Sequence, residues 1–325
     1  MIDDTRPASF DSFCGQENQK KVLEIVVAAA KKRGTCCPHI LLSGPPGLGK
    51  TTLARIVANE MGSRLVEIVA SHIQSPDELV AHLRGIQEHD VFFADEIHTL
   101  AARRSVEETL YAAMEDFRIA VPQDGFDKLM KQIGMAASKP TVQTIDLPKF
   151  TCIGATTLSG LISDPLRARF AQSIVLDPYS EEELTAIIMN AASKTGFPLA
   201  PEVAERIAWR SRQTARTAIS HLRWFAEYVE ATEAPPNIET LHACMELKNI
   251  DEEGLTKLDR SYLRCLVEAG CPLGLSTLAA SLGESRETLE QVVEPLLMRR
   301  SYLRKGPRGR VALPKALDKV GKEAA

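Results

Sequence analysis

The run Gly44-Pro45-Pro46-Gly47-Leu48-Gly49-Lys50-Thr51 constrains this chain more than any other feature, because it satisfies G-x-x-x-x-G-K-[ST] in full. A short apolar run, His39-Ile40-Leu41-Leu42, precedes it, and Thr51 to Met61 follows with apolar residues at helical period. Strand, glycine-rich loop and helix, in that order, let backbone N–H groups wrap a phosphate with help from the positive end of the helix. The pattern predicts a cradle for the phosphates of ATP built from Gly44, Gly47, Leu48, Gly49 and Thr52. Lys50 would reach the β- and γ-phosphates, and the Thr51 hydroxyl would ligate Mg²⁺.

Hydrolysis requires more than a cradle. A second apolar run, Val91-Phe92-Phe93-Ala94, ends in Asp95-Glu96, and a third, Phe150 to Ala155, ends in Thr156-Thr157. Asp95 at a strand end can hold the Mg²⁺ through water, and Glu96 can orient and polarise the attacking water. Thr156 or Thr157 would place a hydroxyl between that water and the γ-phosphate; the residues alone leave the choice open. Arg167 and Arg169 flank Ala168 beside the apolar anchor Phe170 and could serve a neighbour's γ-phosphate, while Arg216 could reach the same phosphates from a following helical unit.

Short buried strands alternating with helices predict an α/β fold with a mostly parallel sheet, whose ligands bind at the carboxyl ends of the strands. At 325 residues the chain has room for two or three domains. The β signals fade after Tyr179, where Ser180 with Glu183 forms a capping box, and helical patterns continue to about Lys248. Further helical stretches at Asp259–Ala269, Ser276–Leu282 and Ser285–Met298 precede two β runs around Gly306-Pro307-Arg308-Gly309-Arg310, a helix-turn-helix followed by a wing. The expected boundaries are 1–178, 179–248 and 249–325. Phe126 to Thr141 receives no assignment.

Net charge is −4, so the whole chain is no polycation. From Pro295 onward, however, nine Lys or Arg face two acids. An acidic body with a basic end points to nucleic-acid contact at that end. Arg304, Lys305, Arg308 and Arg310 cluster at the wing with no interleaved aromatics beyond Tyr302, which favours phosphate contact over base reading. Lys315, Lys319 and Lys322 read as a solubilising tail. The seven cysteines contain no CxxC pair, no apolar run approaches a membrane span, and the N-terminus lacks a signal-peptide pattern. A soluble, cytoplasmic protein is expected.

Taken together, Arg6-Pro7, Gly15-Gln16, GPPGLGKTTLARIVANEMG, DEIH, Glu115-Asp116-Phe117, Leu147-Pro148-Lys149-Phe150-Thr151, GATT, PLRARF and GPRGR resemble the RuvB family of AAA+ ATPases, in order and across nearly the whole chain. The resemblance implies an AAA+ P-loop domain, a small helical lid and a C-terminal winged helix, assembled as a hexameric ring. It implies a motor for Holliday-junction branch migration in recombination and repair, which binds four-way or duplex DNA without regard to sequence. Its implied partners are a RuvA-like junction-binding protein and a RuvC-like resolvase. By position, Arg6 and Tyr179 would frame the nucleotide, and Glu115, Asp116 and Phe117 would approach a nucleotide across the interface. Arg169 resembles the trans-acting arginine, Thr156 or Thr157 the first sensor and Arg216 the second, with Arg308 and Arg310 on the DNA backbone. Leu158, Ala171, Gln213 and Ala215 depart from the family pattern, and the Phe117–Pro148 stretch, where the family carries a hairpin that grips RuvA, is longer. The alternative is a nucleotide-switched DNA-binding protein of clamp-loader or initiator type.

Overall fold

A computed structural model describes residues 5–122 and 142–324. The chain divides into two compact units. One comprises the residues up to Tyr179 together with Thr214–Arg216; the other comprises Ser180–Gln213 and the chain from Thr217 on.

The first unit carries strands β1 (Ile40–Ser43), β2 (Leu65–Val69), β3 (Val91–Asp95), β4 (Arg118–Pro122), β5 (Val142–Asp146), β6 (Thr151–Thr156) and β7 (Gln172–Val175). Five of them form a parallel sheet in the order β2-β3-β6-β1-β7. The three central strands β1, β3 and β6 are buried almost throughout, as strands covered on both faces must be, and each lies within a residue or two of its sequence-predicted run. Strands β2 and β7 are absent from the sequence reading. They are the sheet edges, each with one buried residue, Ile68 and Ile174, and they show no continuous apolar run. Strands β4 and β5 form an antiparallel pair, and Phe126–Thr141, which the sequence pattern does not assign, lies outside the described residues.

Helices α1 (Glu17–Arg33), α2 (Lys50–Met61), α3 (Pro76–Leu83) and α4 (Arg104–Glu115) pack around this sheet. In α1 the buried face is Leu23, Val26, Val27 and Ala30, whereas Val22 and Ile25 are exposed. The sequence carries two overlapping apolar stripes at helical spacing, and packing beside α2 buries one of them.

In the second unit Ser180 and Glu183 close the expected capping box at the start of helix Glu181–Thr195. Helices Pro201–Trp209 and Ile238–Leu247 follow, with Ala215–Thr232 between them, of which Thr217 onward belongs to this unit. The helices before and after residue 248 belong to one compact unit here, and arginines stitch them together. Arg300 lies 4.0 Å from the centre of the Trp209 ring and bonds its carbonyl, while Arg212 pairs with the fully buried Asp259.

The winged helix begins with Lys257–Ala269, capped by Thr256, and Leu275–Leu282, which Gly283 stops in the left-handed conformation. The next helix runs continuously from Arg286 to Arg299 through a π-helical turn at Leu289–Val293. Pro295 accounts for that turn, since it supplies no N–H and its ring displaces the preceding carbonyl. Strands β8 (Leu303–Gly306) and β9 (Gly309–Ala312) form the wing. Gly306 pairs with Gly309, so the turn is only Pro307-Arg308, shorter than expected. A bridge between Leu273 and Arg310 adds a third edge. Gly309 has φ 130°, and a Cβ there would stand 2.3 Å from the Leu273 carbonyl oxygen. Gly309→Ala is therefore expected to cost about 1–3 kcal/mol, read as a lower urea midpoint; an unchanged midpoint would show that the bridge is dispensable. The tail is a docked helix, Pro314–Ala324, with Ala316 fully buried, Lys315 paired to Glu253 and Lys319 to Asp251. For those two lysines the expected solubilising tail is corrected: both are paired with acids of the same unit on a docked helix.

Candidate active site

Strand order decides which loops meet. Because β6 lies between β1 and β3, the carboxyl ends of the three strands are neighbours: Ser43 pairs with Thr156, and Ala94 with Gly154. The phosphate loop, Asp95-Glu96 and Thr156-Thr157 thus emerge side by side.

The loop after β1 tolerates no side chain at its glycines. Gly44, Gly47 and Gly49 have φ of 140°, 83° and 100°. A Cβ on Gly44 would lie 2.8 Å from the Leu176 carbonyl oxygen, one on Gly47 2.9 Å from Arg216 Cβ, and one on Gly49 3.1 Å from the Phe13 ring. Lys50 opens α2 and is buried, with Nζ donating to the carbonyls of Gly44 at 2.7 Å and Pro45 at 3.1 Å. Burial lowers its pKa, Glu96 and Asp95 oppose that shift, and Arg216 adds to it. A buried ammonium folded back onto its own glycine loop, facing two carboxylates, fits a triphosphate with a divalent cation. Thr51 and Thr52 follow in the first turn of α2, and Thr51 with Asp95 are the groups that would hold the cation.

Glu96 has φ 52°, a left-handed conformation uncommon for a glutamate and of the kind found at functional sites. Its N–H donates to Asp95 Oδ1 at 3.0 Å, and its Oε2 accepts from the Thr157 hydroxyl at 3.1 Å. The two threonines separate here. Thr157 touches Glu96, whereas Thr156 is fully buried, accepts from the Leu158 N–H at 3.0 Å and lies 3.0 Å from His98 Nδ1. His98 is a site residue the sequence reading omits; its Nδ1 stands 3.2 Å from Glu96 Oε2, so a single Nδ1–H can serve both oxygens. Its position two residues past Glu96 in DEIH is the signal that could have found it.

Other candidates are placed as follows. Tyr179 is fully buried and donates to the Leu48 carbonyl at 2.9 Å, so it supports the loop from within the protein. Arg6 is exposed in the extended segment before Phe10. The Arg216 N–H donates to the Gly47 carbonyl at 3.3 Å while its side chain is exposed. Arg167 bonds the Ser159 carbonyl, and Arg169 pairs with Glu115 at 2.7 Å. Asp116 is exposed at the end of α4. Phe117, which is half-buried, sets its ring edge-on to Phe150 at 5.7 Å.

At the wing, Arg304, Lys305 and Arg308 are exposed and Arg310 is half-buried, and Lys305 and Arg310 are both engaged in ion pairs within the chain. The fully buried Glu294 receives Lys305 at 2.7 Å, Arg310 at 2.8 Å and the Tyr262 hydroxyl at 2.8 Å, with Glu290 adding a contact to Arg310 at 3.0 Å. Burial alone would raise the Glu294 pKa, but the hydrogen bonds from Arg310, Lys305 and Tyr262 carry it below the ordinary carboxylate value.

The family model for the Holliday junction DNA helicase RuvB P-loop domain matches residues 5–176, and that for the RuvB C-terminal winged helix domain matches residues 252–321. The chain belongs to the RuvB family. The Holliday junction branch migration complex subunit RuvB of Thermotoga petrophila is 43% identical over 314 residues, covering 96% of this chain and 90% of that protein. The RuvB subunit of Wolinella succinogenes is likewise 43% identical, over 94% of this chain and 88% of its own. The solved structure of the RuvB branch migration motor of Thermotoga maritima superposes with a TM-score of 0.82 at 40% identity, over 98% of both chains. Aeropyrum pernix ORC2, at 14% identity and a TM-score of 0.56, shares the fold alone. RuvB membership selects the motor over the loader or initiator alternative and accounts for a P-loop and a winged helix in one chain.

Proposed function

We propose that this protein is an ATP-hydrolysing DNA motor that drives branch migration of Holliday junctions. The observation that carries the reading is Glu96, held by Thr157 at the end of β3 beside the Lys50 loop, in a chain of the RuvB family. Lys50 binds the β- and γ-phosphates, Glu96 takes the proton of the attacking water, and Thr157 fixes the carboxylate and acts as the first sensor. Mg²⁺, held by Thr51 and Asp95, would neutralise charge on the phosphate oxygens. Arg169 serves the nucleotide of a neighbouring copy, and Arg216 and Arg6 contact it from the same chain. The working form is a hexameric ring in the cytoplasm, acting with a RuvA-like junction binder and a RuvC-like resolvase. Among the described residues no helix is long and apolar enough to cross a membrane.

The test is ATP hydrolysis with and without four-way junction DNA, with native mass measured in parallel. Turnover rises on adding the junction, and its arms separate once the cognate partner is present. Turnover indifferent to DNA in a protein that stays monomeric contradicts the proposal.

The wing gives a second, quantitative expectation. If Arg304 and Arg308 each neutralise one phosphate, the wing contributes about −1.8 to the slope of log affinity against log salt, and not the roughly −3.6 of four cations. Arg308→Ala then flattens the slope by about 0.9, while Arg310→Ala leaves it unchanged. An equal change with Arg310→Ala would show that Glu294 releases it to DNA.

A further inference from the structure

Glu107, Tyr111 and Glu115 lie four residues apart on α4 and so share one face. They meet the short helix Asp164–Ala168, whose N-cap is Ser163 and whose C-cap is Arg169. The Ser163 hydroxyl donates to Glu107 Oε1 at 2.6 Å, accepts from the Leu166 N–H at 3.3 Å and lies 2.9 Å from the Tyr111 hydroxyl. Its only proton is used on Glu107, so the phenol is the donor to it. At the other end of the helix the Arg169 guanidinium stands 5.0 Å from the centre of the Tyr111 ring. Arg169 also donates to the Pro165 carbonyl at 3.0 Å and to Glu115 at 2.7 Å. One tyrosine therefore touches both ends of the helix, by its hydroxyl at the start and its ring face at the arginine.

Glu107 is only 4% exposed, and a carboxylate is buried at a cost that only such hydrogen bonding offsets. Burial raises the Tyr111 pKa, against the Ser163 bond and with Glu107 adding to the rise, which keeps the phenol a neutral donor. The Glu115 side chain, by contrast, is 60% exposed, so its pair with Arg169 is weak and exchangeable.

We propose that Tyr111, clamped to Glu107 through Ser163, is a positioning residue that aims Arg169 at the phosphate of a neighbouring copy, with Glu115 holding the guanidinium until that phosphate replaces it. A long arginine side chain otherwise spreads over many rotamers, and a reacting group must be placed within a fraction of an ångström. The inference rests on the reading of Arg169 as acting across an interface and deepens it.

The experiment compares kcat, KM and ATP Kd of the full chain for wild type, Tyr111→Leu, Tyr111→Phe, Arg169→Ala and the Arg169→Ala/Tyr111→Leu double variant. Tyr111→Leu is expected to lower kcat about tenfold with KM and Kd unchanged, and Tyr111→Phe, which keeps the ring, to lose less. In the Arg169→Ala background Tyr111→Leu has no further effect, because its role passes through the arginine. The inference is overturned if Tyr111→Leu slows the Arg169→Ala enzyme by the factor it slows wild type, if it weakens Kd as a general folding defect does, or if kcat stays at the wild-type level. Arg169→Ala turning over at the wild-type rate instead removes the underlying reading of Arg169.

Discussion

Glu96→Gln leaves ATP bound and lowers its turnover by about 10²–10⁴, the range that a positioned general base contributes. Glutamine keeps an oxygen for the Thr157 hydroxyl, now 3.1 Å from Glu96 Oε2, so the loop geometry survives while the proton acceptor is lost. Lys50→Ala separates binding from chemistry, because it removes the buried ammonium that the loop carbonyls hold and with it the affinity for nucleotide. Equilibrium binding of a fluorescent ATP analogue, followed by steady-state phosphate release, reads both effects. Turnover of Glu96→Gln equal to wild type would transfer the base role elsewhere, with His98, 3.2 Å from the same carboxylate oxygen, the group to examine next.

Arg169→Ala has the larger expected effect. An arginine that meets the γ-phosphate in the transition state is worth about 10³–10⁵ in rate, roughly 4–7 kcal/mol of barrier. In the single chain its guanidinium rests on Glu115 and over Tyr111, on a short helix whose start is tied to α4. The variant is expected to bind ATP with wild-type affinity, since Lys50 and its glycine loop, on different elements, are untouched. A rate within a few fold of wild type, in an assembly of wild-type mass, would assign Arg169 to structure.

The active-site chemistry is legible in the sequence because each of its parts ends a fully buried strand. Leu41, Phe93 and Ile153 mark those strands by unbroken apolar runs, and the residues that follow them are the site. Strands β2 and β7 escape because edge strands bury little, and His98 escapes because its role depends on a carboxylate and a hydroxyl brought together only by strand order. The wing shows the opposite failure. Four cations in seven residues read as one basic cluster, yet Glu290 and Glu294, more than ten residues before Lys305 and Arg310, claim those two. Charge runs report composition, and only packing reports which charges are already paired. Phe117 likewise carries its place in a motif, while its ring packs on Phe150 through contacts no motif encodes.

Whether one copy completes the site of the next is measured directly by mixing two inactive variants. Arg169→Ala subunits keep Glu96, and Glu96→Gln subunits keep Arg169, so a mixed assembly contains sites in which both groups are intact. Phosphate release is followed across mixing ratios with junction DNA present, while native mass records that mixed assemblies form. Hydrolysis rising above both parents and peaking at an intermediate ratio is the predicted result; hydrolysis at the parental level at every ratio, in assemblies shown to be mixed, contradicts it.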